Sequence, residues 1–314
     1  MDNSSLHKIE NWERLKFDLG EAILFYLQDD NVVEIMVNPD STIWIEKHGG
    51  ILENIGKISP DKTMMIINTV AYSLNTIVDS NNPDISAEFP IDGSRFQGAI
   101  PPIVEAPSFS IRKKAIQIYT LNDYVESNTL SINQRNIISE ICKSRKNILI
   151  VGATASGKTT FANAIIKEIS ELDPDCRMGI IEDTRELQCE IKNKIDLKTS
   201  DKRDMNALLK IMMRFRPNRI CVGEVRGFEA YALLMAWNSG HGGGIATVHA
   251  NNARAGIKKI EQILTAHNIN PVPAIIAEAI NYIISIQKTD QGRKINEIVE
   301  ICHEGKEYVF KDIN

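Results

Sequence analysis

One eight-residue motif constrains the fold of this chain more than any other feature. Residues 152–159 read GATASGKT and match the pattern G-x-x-x-x-G-K-[ST] at all four specified positions. The apolar run 148–151 precedes the motif, and a segment typical of a helix, 160–169, follows it. A buried strand, a glycine-rich loop and a helix in this order predict an α/β domain.

Such a loop binds phosphate because its backbone N–H groups and the N-terminus of the next helix direct partial positive charge at one point. We expect Lys158 to reach the β- and γ-phosphates of a nucleotide and Thr159 to supply its hydroxyl to Mg²⁺. Motor ATPases, GTPase switches and small-molecule kinases share this loop, so it does not separate them. The candidate nucleotide-binding residues of this segment are Gly152, Ala153, Thr154, Ala155, Ser156, Gly157, Lys158, Thr159 and Thr160.

Composition excludes several other classes of protein. The 314 residues are enough for two domains, and the net charge of −5 argues against a protein that works mainly through contacts with a nucleic-acid backbone. The five cysteines form no C-x-x-C pair, which favours a reducing compartment. Neither a signal peptide nor a membrane-spanning apolar run is evident, so we expect a cytoplasmic protein with only peripheral membrane contact.

The front third of the chain has a different pattern from the rest. Residues 6–28 form an amphipathic helical segment, and the alternating apolar residues of 33–45 predict a β-hairpin. The segment 85–111 is rich in Gly, Pro and short apolar runs, which predicts short strands and turns. We therefore predict a smaller α+β domain over 1–118 and the nucleotide-binding domain over 119–314.

Glu182, Glu224 and His249 each follow or end an apolar, strand-like run. The carboxyl ends of parallel strands meet at one edge of a sheet, and ligands bind at that edge in α/β proteins. One carboxylate there can hold Mg²⁺ or its waters while another orients the attacking water, and the histidine can reach the γ-phosphate. Each residue also has an ordinary alternative, because acidic residues after strands often cap helices and histidines often lie on the surface.

Four motifs in a fixed order extend this interpretation. They are the phosphate loop 152–159, an acidic box at 181–187, the box VGEVRG at 222–227 and a histidine box at 240–249. Together they resemble the secretion ATPase family that powers type IV secretion, conjugal transfer and type II or type IV pilus machines. The front-domain strings at 92–96, 101–102 and 109–113 also match that family, and the likeness runs from about residue 20 to about residue 300.

The resemblance implies a fold and an assembly. The fold is a RecA-like P-loop motor domain with a smaller α+β N-terminal domain, and the nucleotide lies between the two. The assembly is a homo-hexameric ring that hydrolyses ATP with Mg²⁺. By the family's pattern Glu224 supports the metal together with Thr159, while Glu182 polarises the water. The reverse assignment of the two glutamates stays open.

The resemblance also implies roles for two histidines and two arginines. His241 and His249 match the histidine box, with His249 as the sensor of the γ-phosphate and His241 as a further nucleotide-binding residue. Arg95 and Arg112 match front-domain arginines that contact phosphate, and they are candidates for arginine fingers. Arg95 has an alternative as the partner of a nearby carboxylate, and Arg112 as part of a solvated basic linker.

The chain departs from the family at Ala155, where glycine is usual inside the phosphate loop. A Cβ disfavours a backbone with positive φ, so we expect at most an altered affinity for nucleotide. The chain also lacks the paired-cysteine zinc module that some type II secretion relatives carry. That difference favours the type IV branch of the family.

These observations predict an ATP-hydrolysing motor that energises a type IV secretion or conjugal transfer apparatus, in mating-pair or pilus assembly, at the inner membrane. Its expected partners are further copies of itself and the inner-membrane components of the channel, with no direct nucleic acid. One alternative is a nucleotide-binding assembly scaffold with little turnover. Another is a DNA translocase, which the net charge of −5 disfavours.

Overall fold

The computed structural model describes residues 3–114, 118–200, 202–289, 292–305 and 307–314, with side chains from residue 13 onward. The chain forms two compact units, Met1–Ile116 and Gln117–Asn314. The domain limits expected from the sequence, 1–118 and 119–314, differ from this division by two residues and stay a prediction. None of the helices in the described part of the chain is both long enough and apolar enough to cross a bilayer.

The first unit is an antiparallel sheet with two helices. Its strand order is β3-β2-β1-β6-β5-β4, and every neighbouring pair runs antiparallel. The elements are α1 (Asn3–Gln28), β1 (Val32–Val37), β2 (Thr42–Lys47), β3 (Ile51–Lys57), α2 (Pro60–Ser73), β4 (Asp84–Glu88), β5 (Arg95–Ala99) and β6 (Ser108–Arg112).

The two helices of this unit pack through apolar stripes. Leu15, Leu19, Ile23 and Leu27 recur every fourth residue of α1, and all four are buried in the core of the unit. The second helix begins at Pro60, where the Ser59 side chain accepts a hydrogen bond from a first-turn amide and proline occupies the first turn.

The second unit is a mixed eight-stranded sheet with the order β14-β13-β12-β7-β11-β10-β8-β9. The six strands from β12 to β9 in this order are parallel, and β13 and β14 extend the sheet antiparallel. The elements are α3 (Leu121–Glu126), α4 (Ile132–Lys143), β7 (Ile148–Gly152), α5 (Lys158–Leu172), β8 (Met178–Glu182), β9 (Lys194–Lys198), α6 (Met205–Met213), β10 (Arg219–Val222), α7 (Glu229–Asn238), β11 (Ile245–His249), α8 (Ala253–Ala266), α9 (Pro273–Ala279), β12 (Tyr282–Thr289), β13 (Gly292–Glu304) and β14 (Glu307–Asp312).

Helices cover both faces of the parallel part of this sheet, and β7 shows why. Ile148 and Ile150 pack with α5 in one apolar cluster, while Leu149 and Val151 pack with α6, α7 and α8 in another. Successive side chains of a strand point to opposite faces, so a run of four buried apolar residues requires a cover on each side. The strand therefore lies in the middle of the sheet, and the phosphate loop leaves from its carboxyl end.

Candidate functional site

The phosphate loop joins β7 to α5, and its two specified glycines are required by backbone conformation at Gly157 and by space at Gly152. Gly157 precedes the helix with φ +96°, and a Cβ there would lie 2.9 Å from Cδ and Nε of Arg293. A Cβ at Gly152 would lie 2.5 Å from the carbonyl oxygen of Ile286. The flexible Arg293 side chain could move aside, but a φ of +96° strains any other residue at Gly157, and the backbone carbonyl beside Gly152 leaves no room for a Cβ.

Ala155 adopts φ +58°, the left-handed conformation that glycine adopts without strain. This is the position at which the sequence departs from the glycine usual in the family. The expected conflict between a side chain and a positive φ is thus present in the loop.

Lys158 is 7% exposed and its ammonium is held inside the loop. The Nζ atom donates to the carbonyl oxygens of Gly152 at 3.0 Å and Ala153 at 2.9 Å, and it lies 3.0 Å from Nδ1 of His249. Because an ammonium can only donate, Nδ1 of His249 is the acceptor, and the proton of the neutral ring is on Nε2.

The carboxylate of Glu224 continues this chain of contacts. The Nε2 atom of His249 lies 2.8 Å from Oε1 of Glu224, and Arg226 donates a hydrogen bond to Oε2. Burial opposes the charge of the carboxylate, but the hydrogen bond and the charge of Arg226 outweigh it and hold the pKa of Glu224 below its usual value. Burial also lowers the pKa of His249, against the attraction of Glu224, so the ring is neutral at pH 7.

Strand register explains why these residues meet. His249 stands opposite Gly152 across the parallel pair of β11 and β7, so the histidine lies beside the start of the phosphate loop. The backbone after β10 is tied to β11 by two hydrogen bonds, from Oγ1 of Thr247 to the Gly223 carbonyl at 2.7 Å and from the Val225 amide to the Thr247 carbonyl at 2.8 Å. Glu224 is thereby brought to the same edge of the sheet.

The donor set at this edge fits Mg²⁺. Oε1 of Glu224 is a buried carboxylate oxygen that faces Nε2 of His249 at 2.8 Å. Thr159 lies in the first turn of α5 and offers a second oxygen. Hard oxygen donors of this kind, few in number, are what Mg²⁺ uses beside a nucleotide phosphate.

Glu182 ends β8 and is 5% exposed. Its Oε1 accepts hydrogen bonds from the amides of Glu186 at 3.0 Å and Leu187 at 2.8 Å. Burial raises the pKa of Glu182 to about 7, against the effect of these two N–H groups. The side chain lies beside the end of β10, since a Cβ at Gly223 would be 3.0 Å from its Cγ. This carboxyl can therefore exchange a proton near neutral pH.

The structure does not bring His241 into this cluster. Its ring follows α7, with Nδ1 3.3 Å from the Ala236 carbonyl oxygen, and precedes the amino end of β11. His249 is at the carboxyl end of the same strand, and a strand rises about 3.3 Å per residue, so the five-residue β11 separates the two rings. Its role as a nucleotide-binding residue stays a prediction.

Arg95 and Arg112 lie in the first unit, directly opposite each other on β5 and β6. Glu88 stands opposite Arg95 on the next strand, and Glu34 stands opposite Arg112 on the other side. The four side chains thus form one row across the sheet, with the arginines in the middle and a carboxylate at each end. Their action as arginine fingers stays a prediction.

Two further arginines lie near this site: the sequence makes Arg226 a lesser candidate than Arg95 and Arg112, and it does not mark Arg293 at all. Arg226 follows Glu224 by two positions, so the motif that contains both was the available signal. Arg293 reaches Gly157 from β13, more than a hundred residues later, and no local pattern marks it.

Comparisons with known proteins agree with this architecture. A family model described as type II/IV secretion system protein matches residues 19–294. A probable conjugal transfer protein TrbB of Sinorhizobium fredii is 45% identical over 288 residues, which is 92% of this chain and 89% of the relative. The type IV secretion system protein VirB11 of Bartonella quintana is 27% identical, covering 94% of this chain and 96% of the relative.

Two solved structures share the fold. The Legionella pneumophila ATPase DotB aligns with a TM-score of 0.63 and 20% identity, covering 90% of this chain and 79% of that one. The pilus retraction motor PilT with bound ADP aligns with a TM-score of 0.64 and 20% identity, covering 88% and 80%. The expected architecture, a motor domain with a smaller N-terminal domain, is confirmed.

Proposed function

The chain belongs to the type II/IV secretion system protein family, and on that premise we propose that it is a Mg²⁺-dependent ATPase that energises a type IV secretion or conjugal transfer apparatus. The family predicted from the four motifs is confirmed by the match over residues 19–294. Relatives named as conjugal transfer and type IV secretion proteins span about nine-tenths of the chain or more, which supports the same role here.

One observation carries the catalytic part of the proposal: a continuous set of contacts runs from Lys158 of the phosphate loop through His249 to Glu224. These residues follow or end three different strands, β7, β11 and β10, and are far apart in the sequence. A structural role alone does not require a lysine, a neutral histidine and an ionised glutamate to meet beside a phosphate-binding loop. Hydrolysis of a bound nucleotide uses groups of these kinds, a cation that binds phosphate and polar or acidic side chains that hold the metal or orient the water.

Each residue then has a role. The loop amides and Lys158 bind the β- and γ-phosphates, and Lys158 exchanges its contacts with the loop carbonyls for the phosphate oxygens. Mg²⁺, when bound with the nucleotide, neutralises charge on the phosphate oxygens, and Thr159 and Glu224 are the residues that would hold it. His249, whose Nδ1 lies 3.0 Å from Nζ of Lys158, is the proposed sensor of the γ-phosphate.

The pKa values support one assignment of the two glutamates. Glu182, with a pKa of about 7, is suited to accept the proton of the attacking water while the water oxygen forms its bond to the γ-phosphorus and ADP leaves. Glu224, with a lowered pKa, stays ionised and is suited to the metal side.

The assembly is part of the proposal. By analogy with the family we propose a homo-hexamer in the cytoplasm that attaches peripherally to inner-membrane components of the channel and binds no nucleic acid directly. Arg95 and Arg112 of the first unit are the proposed arginine fingers, and His241 is proposed to contact nucleotide only as the ring assembles. A finger supplied by a neighbour would make hydrolysis depend on assembly.

The first test measures Mg²⁺-dependent phosphate release from ATP over a range of protein concentrations, with Lys158→Ala as the blank. We expect specific activity to rise with concentration and the variant to be inactive, because the loop loses the charge that binds phosphate. The same preparation without Mg²⁺ should also be inactive. A wild-type rate equal to that of Lys158→Ala at every concentration would overturn the ATPase and favour the scaffold. Stimulation by DNA that salt abolishes would favour the translocase.

A further inference from the structure

Arg226 donates a hydrogen bond to the carboxylate of Glu224, which His249 also contacts. The bond goes to Oε2, while Oε1 stays buried and faces Nε2 of His249 at 2.8 Å. One oxygen is thus held on the outer side of the site, and the other points toward the residues that lead to the phosphate loop. The contacts of Oε2 with Arg226 and of Oε1 with His249 together set the torsion of the carboxylate.

The backbone that carries Arg226 is fixed independently of its side chain. The amides of Arg226 and Gly227 both donate to Oε1 of Glu229, at 2.6 Å and 2.7 Å, and the preceding Val225 amide is bonded to β11. A Cβ at Gly227 would lie 3.1 Å from Oε2 of Glu229, so glycine leaves room for this turn. Removing the guanidinium therefore leaves the turn after β10 in place.

The pair has little to do with the stability of the fold. The Arg226 side chain is 52% exposed, and exposed ion pairs contribute between zero and about 1 kcal/mol. Asp183 and Glu186 also lie close enough to act on the charge of Arg226, yet its hydrogen bond goes to Glu224. The geometry therefore suits a residue that orients a functional carboxylate.

From this arrangement we infer that Arg226 is a positioning residue for Glu224: it holds Oε2 so that Oε1 faces the phosphate loop. The inference rests on the proposed hydrolysis of ATP at this site. Arg226 acts through Glu224 and does not touch the nucleotide. Its loss should therefore slow the chemical step and leave nucleotide binding unchanged.

The test compares Arg226→Ala and Arg226→Lys with wild type. We expect kcat for ATP to fall about 10- to 100-fold in Arg226→Ala, since small misplacement of a catalytic group costs that much. The KM for ATP and the Kd for a fluorescent ADP analogue should stay within about twofold. Arg226→Lys, which keeps a donor and a charge, should recover part of kcat. Arg203→Ala is the matched control, because that exposed guanidinium donates to the carbonyl of the adjacent Lys202.

A double variant separates positioning from a general structural effect. Single-turnover rates with enzyme in excess should be equal for Glu224→Ala and for Glu224→Ala with Arg226→Ala, because alanine leaves Arg226 no oxygen to hold. If Arg226→Ala slows the Glu224→Ala protein as much as it slows wild type, the inference is wrong. Full kcat in Arg226→Ala beside an active wild type also overturns it, and only it. A wild type no faster than Lys158→Ala overturns the proposed hydrolysis and this role together.

Discussion

Replacing Glu182 by glutamine should make the second unit progressively more stable than wild type as the pH rises. Glu182 is 5% exposed, and burial raises its pKa from 4.5 to about 7. Glutamine keeps an Oε1 that can accept the amides of Glu186 and Leu187, and it does not ionise. The substitution therefore removes the titration and keeps the two hydrogen bonds.

The sign and the size follow from linkage between protonation and folding. A group whose folded pKa exceeds its unfolded pKa stabilises the fold fully below the unfolded value, and that contribution is lost as the pH rises through the folded value. The shift from 4.5 to about 7 corresponds to about 3 kcal/mol in total. Between about pH 5 and about pH 8, the free energy of unfolding of Glu182→Gln should therefore gain roughly 2 to 3 kcal/mol relative to wild type.

Urea unfolding followed by Trp237 fluorescence measures the difference in free energy of unfolding in the second unit of the chain, which contains Glu182. Trp237 is buried and donates a hydrogen bond to the Ile220 carbonyl of β10, beside the strand that carries Glu182. Replacing Trp12 and Trp44 by phenylalanine in all proteins leaves Trp237 as the sole reporter among the three tryptophans. Glu126→Gln, an exposed carboxyl in the same unit, is the control. Parallel curves for wild type and Glu182→Gln across this pH range would refute the raised pKa.

Two further predictions concern stability. Ala155→Val should lower the free energy of unfolding by roughly 1 to 2 kcal/mol and weaken binding of a fluorescent ADP analogue, because a β-branched side chain at φ +58° is strained. Equal free energies of unfolding and equal affinities for the two proteins would contradict this. Arg219→Ala should lower the free energy of unfolding in urea by about 3 kcal/mol, because its guanidinium is 1% exposed and pairs with Asp173 and two carbonyl oxygens. Arg145 pairs with the same Asp173 from the exposed side. Arg145→Ala should therefore lower the free energy of unfolding by less than about 1 kcal/mol. Similar losses in the two arginine variants would show that burial does not govern these pairs.

The part of the site that the sequence predicts well is the part set by strand ends. Glu182 and Glu224 follow short apolar runs, and runs of that kind beside a phosphate loop form parallel strands. Strand register then does the rest, because Ile181 pairs with Val222 and His249 pairs with Gly152. Local pattern and parallel pairing together determine that edge, so no side-chain detail is needed to predict it.

Strands whose apolar and polar residues do not alternate cannot be predicted from local sequence. Every residue of β3 except Ile55 is exposed, so its sequence carries no apolar period, and only its pairing with β2 makes it a strand. Arg293 is a second example of a long-range effect. It lies against Gly157 because β12 pairs with β7 and β13 pairs with β12, a sequence of pairings that no local segment encodes.

His241 shows that a motif can be longer than a site. The histidine box from residue 240 to residue 249 contains a turn, a strand and a final histidine, and the strand carries its two ends to opposite edges of the sheet. A sequence motif groups residues along the chain, but the secondary-structure element between them determines whether their side chains are close in space. In the second unit, His249 therefore contacts Lys158 of the phosphate loop, while His241 lies beyond the other end of β11.

The roles of Glu182 and Glu224 likewise depend on their surroundings in the fold. Glu182 ends one parallel strand, Glu224 follows the end of another by two residues, and the residue type is the same, so the sequence leaves their roles interchangeable. Their surroundings differ: burial governs Glu182, while Arg226 outweighs burial at Glu224, and the pKa values move in opposite directions. Environments that separate the pKa values of two like groups favour a base in one and a permanent anion in the other. The arginine beside Glu224 is thus as much a part of the proposed division of labour as the carboxylates.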